Sequence, residues 1–512
     1  MPLFRDDERA LAEGIREVMY ANPFLPERIE GERHALGEAF AEESADWNRL
    51  PELADDPGNL QVILERSDKL TPELAKRLRK PEHGATSQEL ALYEDLVVFG
   101  LYHSSRSVLD QVIERSVAER KPLPVKAYGD FAGSAEQLLA IPGIELPSNY
   151  EFGHLFAAFF QVRRAFHHIF SFIVGSSPAA SRLRAAVWQS IFTHDLRRYR
   201  QVLYNCMGDI TTLVTGPSGT GKELVARAIG LSRYVPFDAK TCTFSDDFVQ
   251  SFYPLNLSAL SPTLIESELF GHCRGTFTGA VDDHAGWFEV CPARGTVFLD
   301  EIGELAASIQ VKLLRVLQSR TFQRLGETKA REFRGKVIAA TNRDLAVEMQ
   351  ENRFREDLYY RLCSDVIVTP SLRDHLRESP DELQTLVNFI AERLIGNEGP
   401  GLADEVLSWI NAGHLGADYA WPGNFRELEQ CVRNILIRSE YRPAVRASSG
   451  SNGLTSALDE GTLTADELLR HYCTRVYLRT GSYEAAARQL GLDRRTVKAK
   501  IDDQLLEELR NG

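Results

Sequence analysis

Residues 210–223 read Ile-Thr-Thr-Leu-Val-Thr-Gly-Pro-Ser-Gly-Thr-Gly-Lys-Glu. The first six form a short apolar, β-branched run, and a helical pattern, Leu-Val-Ala-Arg-Ala-Ile-Gly, follows Glu223. A strand, a glycine-rich loop and a helix in this order are the context of a phosphate-binding loop. The glycines let backbone N–H groups surround phosphates, and the start of the helix adds favourable partial charge. The stretch therefore predicts an α/β fold that binds a nucleotide.

Within this loop, Lys222 is expected to reach the β- and γ-phosphates of the nucleotide. Glu223 stands where the general motif has a Ser or Thr hydroxyl for Mg²⁺, so another group must carry more of the metal. The residues predicted to contact the nucleotide are Gly216, Pro217, Ser218, Gly219, Thr220, Gly221, Lys222 and Glu223.

Two further strands end in polar residues. Residues 295–301 read Gly-Thr-Val-Phe-Leu-Asp-Glu, so an apolar strand delivers two carboxylates at its carboxyl end, where parallel α/β sheets bind ligands. Asp300 is suited to hold Mg²⁺ and Glu301 to polarise the attacking water. The strand Lys336–Ala340 ends in Thr341 and Asn342, which are placed to sense the γ-phosphate. The alternatives are a solvated acidic strand end and an ordinary turn.

The composition is that of a globular protein. The chain has 512 residues, 43% of them hydrophobic and 26% charged, which suggests about three domains. No apolar run approaches the ~18 residues of a membrane span, and the amino terminus lacks a secretory signal, so we expect a cytoplasmic protein without a membrane partner. Seven cysteines without a CxxC pair argue against zinc, and a net charge of −14 excludes nucleic-acid binding along the whole chain.

The chain divides by pattern into four parts and a linker. Residues 1–174 are rich in helix formers, and 175–370 alternate short strands with helices and glycine-rich turns, which predicts a mainly parallel sheet. Residues 371–440 are predicted to be helical, 441–462 to be a flexible linker, and 463–512 a compact helical tail. The predicted fold class is a multidomain α/β protein with helical regions at both ends.

The tail contains two short helices and a tight turn over residues 480–501. Ser482 and Asp493 are suited to cap the two helices, and Gly491 to form the turn. Between Arg470 and Ile501 the net charge is +6, in contrast to the whole chain. The second helix is expected to expose its basic residues to a polyanion; the alternative is a basic surface helix in a capping bundle.

The segment from Gly175 to Arg438 resembles the central AAA+ domain of the sigma-54-dependent activators, also called bacterial enhancer-binding proteins. The phosphate loop of that family commonly ends in Lys-Glu, as here. Residues 266–272, Glu-Ser-Glu-Leu-Phe-Gly-His, and 275–280, Gly-Thr-Phe-Thr-Gly-Ala, resemble the family's signature, whose loop normally reads Gly-Ala-Phe-Thr-Gly-Ala. Thr276 replaces the usual Ala. Tyr234–Tyr253 is longer than the family pattern and is interpreted as an insertion.

The resemblance implies roles for further residues. Asn256 falls where a switch asparagine contacts the catalytic Glu, Arg355 and Arg361 where two arginines reach a neighbouring subunit's nucleotide, and Arg426 where a lid arginine contacts nucleotide. The alternative for each arginine is a solvated helix face. The loop expected to contact sigma-54 comprises Gly275, Thr276, Phe277, Thr278, Gly279 and Ala280, and Phe277 and Thr278 are expected at its exposed tip.

The tail resembles the Fis-type helix-turn-helix that usually ends these activators. Its second helix would lie in the major groove, with Arg494, Arg495 and Thr496 near base edges and Lys498 and Lys500 on phosphates. The resemblance thus implies ATP and Mg²⁺ as cofactors. It implies as partners sigma-54 RNA polymerase, upstream enhancer-like sites on double-stranded DNA, and further copies of the chain in a hexamer or heptamer, with a dimer possible at rest.

The first 174 residues are expected to receive the regulatory input. They show no receiver pattern, and His167-His168 is interpreted as packing rather than metal binding, so a partner protein or a small molecule remains as the signal. Two other functions stay open: an ATP- and DNA-binding regulator that does not activate sigma-54 polymerase, motivated by Thr276, and an AAA+ remodeller of another protein.

Overall fold

The structure is a computed structural model that describes residues 2–42, 58–80, 84–148, 151–415, 419–443, 464–502 and 505–506. The chain forms two compact units. One comprises Met1–Leu407 with Gly423–Val432, and the other comprises Ser408–Pro422 with Arg433–Gly512. Most of the linker predicted over 441–462, and residues 463, 503–504 and 507–512 of the tail, lie outside the described residues.

The amino-terminal part of the first unit is helical, as its composition predicts. Its helices are α1 (Asp6–Tyr20), α2 (Glu27–Leu36), α3 (Gly58–Leu78), α4 (Ser87–Glu119), α5 (Tyr128–Leu139) and α6 (Phe152–Phe172). Helix α4 begins with a capping box, in which the Thr86 hydroxyl accepts from the backbone N–H of Glu89 and the Glu89 carboxylate accepts from Thr86. Three acidic residues in the first turn of α1 suit the positive end of its helix dipole.

A five-stranded parallel sheet forms the centre of the first unit. The strands of the unit are β1 (Thr212–Thr215), β2 (Phe237–Asp238), β3 (Thr243–Phe244), β4 (Phe252–Asn256), β5 (Thr296–Asp300), β6 (Thr321–Phe322), β7 (Arg331–Glu332), β8 (Lys336–Thr341) and β9 (Asp365–Val368). The sheet order is β4-β5-β8-β1-β9, and β2-β3 and β6-β7 form two small antiparallel ribbons. This order places β8 in the middle and β1 between β8 and β9, with apolar residues of β5 and β8 fully buried.

Helices cover the sheet and continue beyond it. They are α7 (Pro178–Phe192), α8 (Leu196–Gln201), α9 (Lys222–Gly230), α10 (Pro262–Phe270), α11 (Trp287–Val290), α12 (Ala307–Ser319), α13 (Leu345–Gln350), α14 (Glu356–Leu362), α15 (Leu372–Glu378), α16 (Glu382–Ile395), α17 (Gly399–Asn411) and α18 (Asn424–Arg438). The predicted α/β fold class with helical flanking regions is therefore confirmed. None of the described helices is both long and apolar enough to cross a bilayer.

The segment interpreted as an insertion, Tyr234–Tyr253, packs against the amino-terminal helices. The ring of Phe244 in β3 stacks on Phe160 of α6, with 4.0 Å between ring centroids. Phe237, Phe244 and Phe248 belong to the same buried core as the amino-terminal helices. The buried guanidinium of Arg164 donates to the Arg233 carbonyl at 3.2 Å. The first 174 residues and the ribbon β2-β3 thus share one apolar core, a contact that periodicity alone did not indicate.

In the second unit, the described residues 464–502 form three helices, α19 (Ala465–Thr480), α20 (Tyr483–Leu490) and α21 (Arg494–Lys500). Their small core consists of Val476, Ala486, Ala487 and Val497. Gly491 adopts φ 67° at the turn, as expected for a residue that must be left-handed.

Candidate functional site

The phosphate-binding loop connects β1 to α9 and depends on its glycines. Gly216 has φ 145°, and a Cβ there would lie 2.2 Å from the Thr369 hydroxyl. Gly219 has φ 80°, and a Cβ there would lie 2.3 Å from the Gly423 carbonyl oxygen. Both positions therefore exclude any side chain, because neighbouring segments press directly on the loop.

Lys222 lies at the start of α9 and folds over the loop. Its Nζ donates to the carbonyl oxygens of Gly216 at 2.9 Å and Pro217 at 3.1 Å. Burial lowers the pKa of its ammonium, although the negative charges of Glu301 and Asp300 act in the opposite direction. A buried cation held over a ring of glycines is suited to bind phosphate oxygens.

Glu223 follows Lys222 but does not bond to the loop. Its carboxylate accepts from Arg227 at 2.8 Å, one helical turn further along the exposed side of α9. The hydroxyl nearest the loop interior belongs instead to Thr220, which bonds to the Pro217 carbonyl at 2.9 Å and to the Thr369 hydroxyl at 2.6 Å. Thr369, which sequence reasoning missed, therefore braces the loop from the end of β9.

Asp300 and Glu301 lie at the carboxyl end of β5, as predicted. Burial raises the pKa of Asp300, and the neighbouring charge of Glu301 raises it further. Glu301 has φ 57° and ψ 51°, a left-handed conformation that is uncommon for a residue with a side chain. Its Oε2 accepts from the backbone N–H of Asn342 at 3.3 Å, so the ends of β5 and β8 meet at this carboxylate.

The other strand-end residues are placed differently. Thr341 is fully buried, and its Oγ1 accepts from the Arg343 N–H at 3.0 Å, so it supports the turn after β8. Asn256 lies beside Asp300 in the register of β4 and β5. Its Oδ1 accepts from the Ser258 N–H at 3.0 Å and the Ser258 hydroxyl at 2.7 Å. The expected contact between Asn256 and Glu301 is absent from its hydrogen bonds in this structure, because the amide caps the following turn.

The donors present fit Mg²⁺ bound together with a nucleotide. No cluster of three or more His, Cys, Asp or Glu side chains that could hold a metal occurs among the described residues. Mg²⁺ usually binds through one or two carboxylates and completes its coordination with phosphates and water. Asp300, half-buried and close enough to Lys222 and Glu301 to feel their charges, is the carboxylate that fits this role.

The start of α18 contributes two contacts to the loop. Arg426 Nη1 donates to the Ser218 hydroxyl at 3.0 Å, which places its side chain beside the phosphate-binding loop. Asn424 Nδ2 donates to the Ser218 carbonyl at 2.9 Å, while its Oδ1 accepts from the Leu372 N–H at 2.9 Å. Sequence reasoning missed Asn424, although it lies in the Trp-Pro-Gly-Asn-Phe-Arg motif that carried Arg426.

Arg355 and Arg361 lie on α14 and its cap, and both are exposed. The Arg355 guanidinium pairs with Asp357 at 2.7 Å, and its backbone N–H donates to Gln310 Oε1 at 2.9 Å. Neither side chain has a hydrogen bond to the phosphate-binding loop within the described part of the chain. The exposed side chain of Arg355, anchored by this backbone contact, is suited to meet a second molecule.

The loop 275–280 is more tightly held than expected. Gly275 and Gly279 have φ 79° and 104°, and the Gly275 N–H donates to the Ala280 carbonyl at 2.8 Å. Thr278 is exposed as expected, whereas Phe277 is half-buried with its ring 4.9 Å from His272 and so lies between the expected exposed tip and the alternative of a hairpin with a buried Phe. Ala280 is buried, because the loop closes on itself there.

Thr276, the residue that departs from the family pattern, has a structural role. Its hydroxyl donates to the Cys273 carbonyl at 2.5 Å and lies 3.2 Å from the Leu325 carbonyl. It therefore ties the base of loop 275–280 to the segment between β6 and β7. An alanine at this position would lack both contacts.

The last helix, α21, presents only part of its predicted basic surface. Asp493 caps it by accepting from the backbone N–H of Arg495 and Thr496. Arg494, Arg495 and Lys498 are exposed, and Arg494 pairs with Glu484 at 2.9 Å. The expectation that Lys500 is exposed is wrong: it is half-buried and pairs with Asp466 of α19.

In the tail, the side chains of Thr496 and Ser482 also make other contacts than those expected from the sequence. The Thr496 hydroxyl donates to the Asp493 carboxylate at 2.5 Å, so its side chain is engaged in the cap. Ser482 makes no side-chain cap, because its hydroxyl donates to Glu484 at 3.1 Å instead.

The chain is similar in sequence to a known protein family and to several regulatory proteins. The family model described as the Sigma-54 interaction domain matches residues 192–368. The Nif-specific regulatory protein of Azotobacter vinelandii is 40% identical over 301 residues, which are 57% of this chain and 53% of that protein. The transcriptional regulatory protein ZraR of Salmonella typhimurium is 35% identical over 337 residues, which are 64% of this chain and 68% of that protein. The chain spans about half the length of the Nif-specific relatives that it matches.

A likeness to a solved structure extends over more of the chain. The crystal structure of NtrX from Brucella abortus in complex with ADP covers 82% of this chain and 86% of its own, at 21% identity and a TM-score of 0.40.

Proposed function

Because this chain belongs to the sigma-54-dependent transcriptional activators, we propose that it hydrolyses ATP in a ring of subunits and uses the energy to remodel the closed complex of sigma-54 RNA polymerase. In this proposal ATP binds with Mg²⁺ at Lys222 and Asp300, and Glu301 orients the attacking water. Phosphoryl transfer needs positive charge against its spreading negative transition state. Arg355 and Arg361 supply that charge to the neighbouring subunit, and Arg426 supplies it within the same subunit.

One observation carries the proposed coupling between ATP and sigma-54. Loop 275–280 lies in the connection between β4 and β5. These neighbouring strands end at Asn256 and Asp300, beside the nucleotide site. In this proposal a change at Asn256 is passed along the chain through α10 to the loop, while the other end of the connection enters β5 at Thr296, at the opposite edge of the sheet. Exposed Thr278 is proposed as the residue that meets sigma-54.

We further propose the domain division derived above: an input region at 1–174, an ATPase core at 175–370, a lid at 371–440, a linker at 441–462 and a DNA-binding tail at 463–512. Exposed Arg494, Arg495 and Lys498 support binding of the tail to upstream DNA.

Open-complex formation by sigma-54 polymerase, measured with the full chain and ATP, tests the function. We expect activation that requires hydrolysable ATP. We expect Thr278→Ala to abolish activation while ATPase activity stays within about twofold, because an exposed loop tip contributes little to the distant site. Asp282→Asn, an exposed change just beyond the loop, is the control and should retain both activities. ATP hydrolysis without any open complex would favour the regulator that does not act on sigma-54.

A further inference from the structure

A cavity of about 340 Å³ lies inside the first unit, away from the phosphate-binding loop. Its walls come from α1, α4 and α6 of the input region and from α7 and α8. Most of its lining is aromatic or aliphatic, and we call it the aromatic cavity. Its ring-bearing walls are Tyr102, Phe159, Phe166, Phe170, Trp188 and Phe192.

The aromatic cavity is partly open to its surroundings, and its size is that of a ligand pocket. Protein interiors are otherwise close-packed, and voids larger than a water molecule are few. An apolar cavity of ~150 Å³ is already large enough to bind benzene, and ligand pockets begin at about 300 Å³. A void of about 340 Å³ therefore has room for a compound of one or two rings.

The rings around the cavity are held in place by one another. Trp188 lies 4.9 Å from Phe166 and 4.4 Å from Phe192, measured between ring centroids. Tyr102 meets Phe159 edge to face at 5.5 Å. Such fixed faces and edges suit a flat aromatic guest, because ring pairs prefer offset and edge-to-face arrangements.

The charged part of the lining indicates the polar end of the guest. Arg163 makes two bonds to Asp110, at 2.7 and 2.8 Å, and Arg106 lies 4.0 Å from the same carboxylate. The lining includes four arginines, two carboxylates and two histidines, and Glu32, which pairs with Arg28 at 2.9 Å, adds a third carboxylate beside it. Burial lowers the pKa of His167, which keeps that imidazole neutral at neutral pH. An excess of guanidinium groups beside aromatic walls favours an anionic group on the guest.

The walls of the cavity also touch the core beneath the nucleotide site. Trp188 and Phe192 of α7 share a buried cluster with Val225 and Ile229 of α9, the helix that begins at Lys222. An occupant that moves α7 therefore acts on the helix that carries the phosphate-binding lysine.

We propose that the aromatic cavity is an effector site for a small aromatic acid, one or two rings bearing a carboxylate, and that its occupancy changes the rate of ATP hydrolysis. The binding half of this proposal stands without the ATPase, whereas the regulatory half rests on the proposed function.

Binding is tested on the full chain without nucleotide, with 1-naphthoate as the probe and neutral 1-naphthalenemethanol as its matched analogue. Trp188 lies in the cavity wall, so its fluorescence reports occupancy, and thermal melting gives an independent readout. We expect saturable binding of 1-naphthoate, roughly tenfold tighter than that of the alcohol, because bonds to charged groups are the stronger ones. Equal affinities would overturn the anionic preference.

Two kinds of variant locate the site. Ala158→Phe and Val162→Phe fill the cavity from α6 and should abolish binding without lowering the melting temperature; the second is partly exposed and tolerates the larger ring. Arg106→Gln should lower the affinity for 1-naphthoate to that of 1-naphthalenemethanol, because it removes one guanidinium group from the lining. Arg115→Gln, an exposed change on the same helix outside the cavity, should leave binding unchanged. Binding that survives both filling variants would place the probe elsewhere and refute the site.

The regulatory half is then measured as ATPase activity with and without 1-naphthoate. We expect a change of at least about twofold in the wild type and none in Ala158→Phe. Binding without any change in rate would refute the regulation and leave the site. A chain that binds 1-naphthoate but never hydrolyses ATP would refute the proposed function instead.

Discussion

Glu301 combines an uncommon backbone conformation with a contact to a second strand. Residues with a side chain in the left-handed region cost of order 1–3 kcal/mol, and they cluster where function requires a particular geometry. Here the conformation turns the chain directly after β5 and brings the carboxylate to the Asn342 N–H. The strain is thus linked to the meeting of two strand ends at the nucleotide site.

The half-buried carboxyl of Asp300 is expected to lower the stability of the nucleotide-free protein. Its pKa in the folded chain is raised, so folding favours the protonated form and ionisation at neutral pH costs stability. Asp300→Asn removes that cost. We expect a higher melting temperature at pH 7 for the nucleotide-free variant, and a gain that shrinks as the pH falls below the pKa of Asp300.

Thermal melting between pH 7 and pH 4 measures this effect, with Mg²⁺-dependent ATP binding followed in parallel. Asp282→Asn is the control, since Asp282 is exposed and its change should not alter the melting temperature. The same variant of Asp300 should lose most Mg²⁺-dependent binding. A lower melting temperature at pH 7 for Asp300→Asn would show that the carboxylate stabilises the empty site.

For single residues, the sequence predicted where a residue lies in the fold better than it predicted which partners its side chain contacts. Motif and strand order were enough to place Lys222, Asp300 and Glu301 at neighbouring ends, because their chemistry depends on local backbone. The inward hydroxyl of Thr276 and the pairing of Lys500 with Asp466 were missed. Both depend on segments distant in the chain, which no local pattern encodes.

The ribbon β2-β3 is one of the elements that join the proposed input region to the proposed ATPase core. Phe244 is buried between Phe160, Phe237 and Phe248. Removing its ring leaves a cavity shared by both regions, and truncations of this kind cost about 3–5 kcal/mol. We expect Phe244→Ala to lower the melting temperature of the whole first unit.

Circular dichroism checks this prediction, with heating to give the melting temperature and urea denaturation to give the free energy of unfolding. Ser245→Ala, the exposed neighbour on the same ribbon, is the matched control and should shift stability by less than about 0.5 kcal/mol. If Phe244→Ala melted the input helices alone and left the remainder unchanged, the shared core would not be cooperative.

The helix α21 allows base readout and phosphate contact to be separated. Arg495 is exposed near its start, whereas Lys500 is held by Asp466. We expect Arg495→Ala to weaken specific DNA binding by about 1–3 kcal/mol, and Lys500→Ala to have a smaller effect. Affinities for specific and random duplexes at fixed salt distinguish the roles, and an equal loss on both duplexes would make Arg495 a phosphate contact.

Helix existence was predictable at the element scale, but cap partners were only partly so. Asp493 caps α21 as expected, while the Ser482 hydroxyl bonds to Glu484 instead. The aromatic cavity was not predictable, since its rings come from helices far apart in the sequence and face one another only after folding.

If each nucleotide site of the proposed ring is formed by two neighbouring subunits, two inactive variants should restore activity when they are mixed. In the proposal Glu301 belongs to one side of each interface and Arg355 to the other. Glu301→Gln and Arg355→Ala should each be inactive alone. Mixed, they should recover part of the ATPase activity, because some interfaces join an intact Glu301 to an intact Arg355.

The mixture is measured as ATPase rate against the ratio of the two variants. A mixture of Glu301→Gln with the double variant Glu301→Gln, Arg355→Ala is the control and should stay inactive. No recovery at any ratio, with assembly verified by sedimentation, would mean that Arg355 does not act across subunits.

The core shared by the proposed input region and the ribbon β2-β3 limits how such regulators can exchange domains during evolution. In a modular regulator, one regulatory domain can be exchanged for another on the same ATPase domain. Phe237, Phe244 and Phe248, in residues 234–253, complete the core of the proposed input region. Recombination that moved only the first 174 residues would expose those rings to water. We therefore expect a chimaera to fold only if it transplants residues 234–253 together with the first 174.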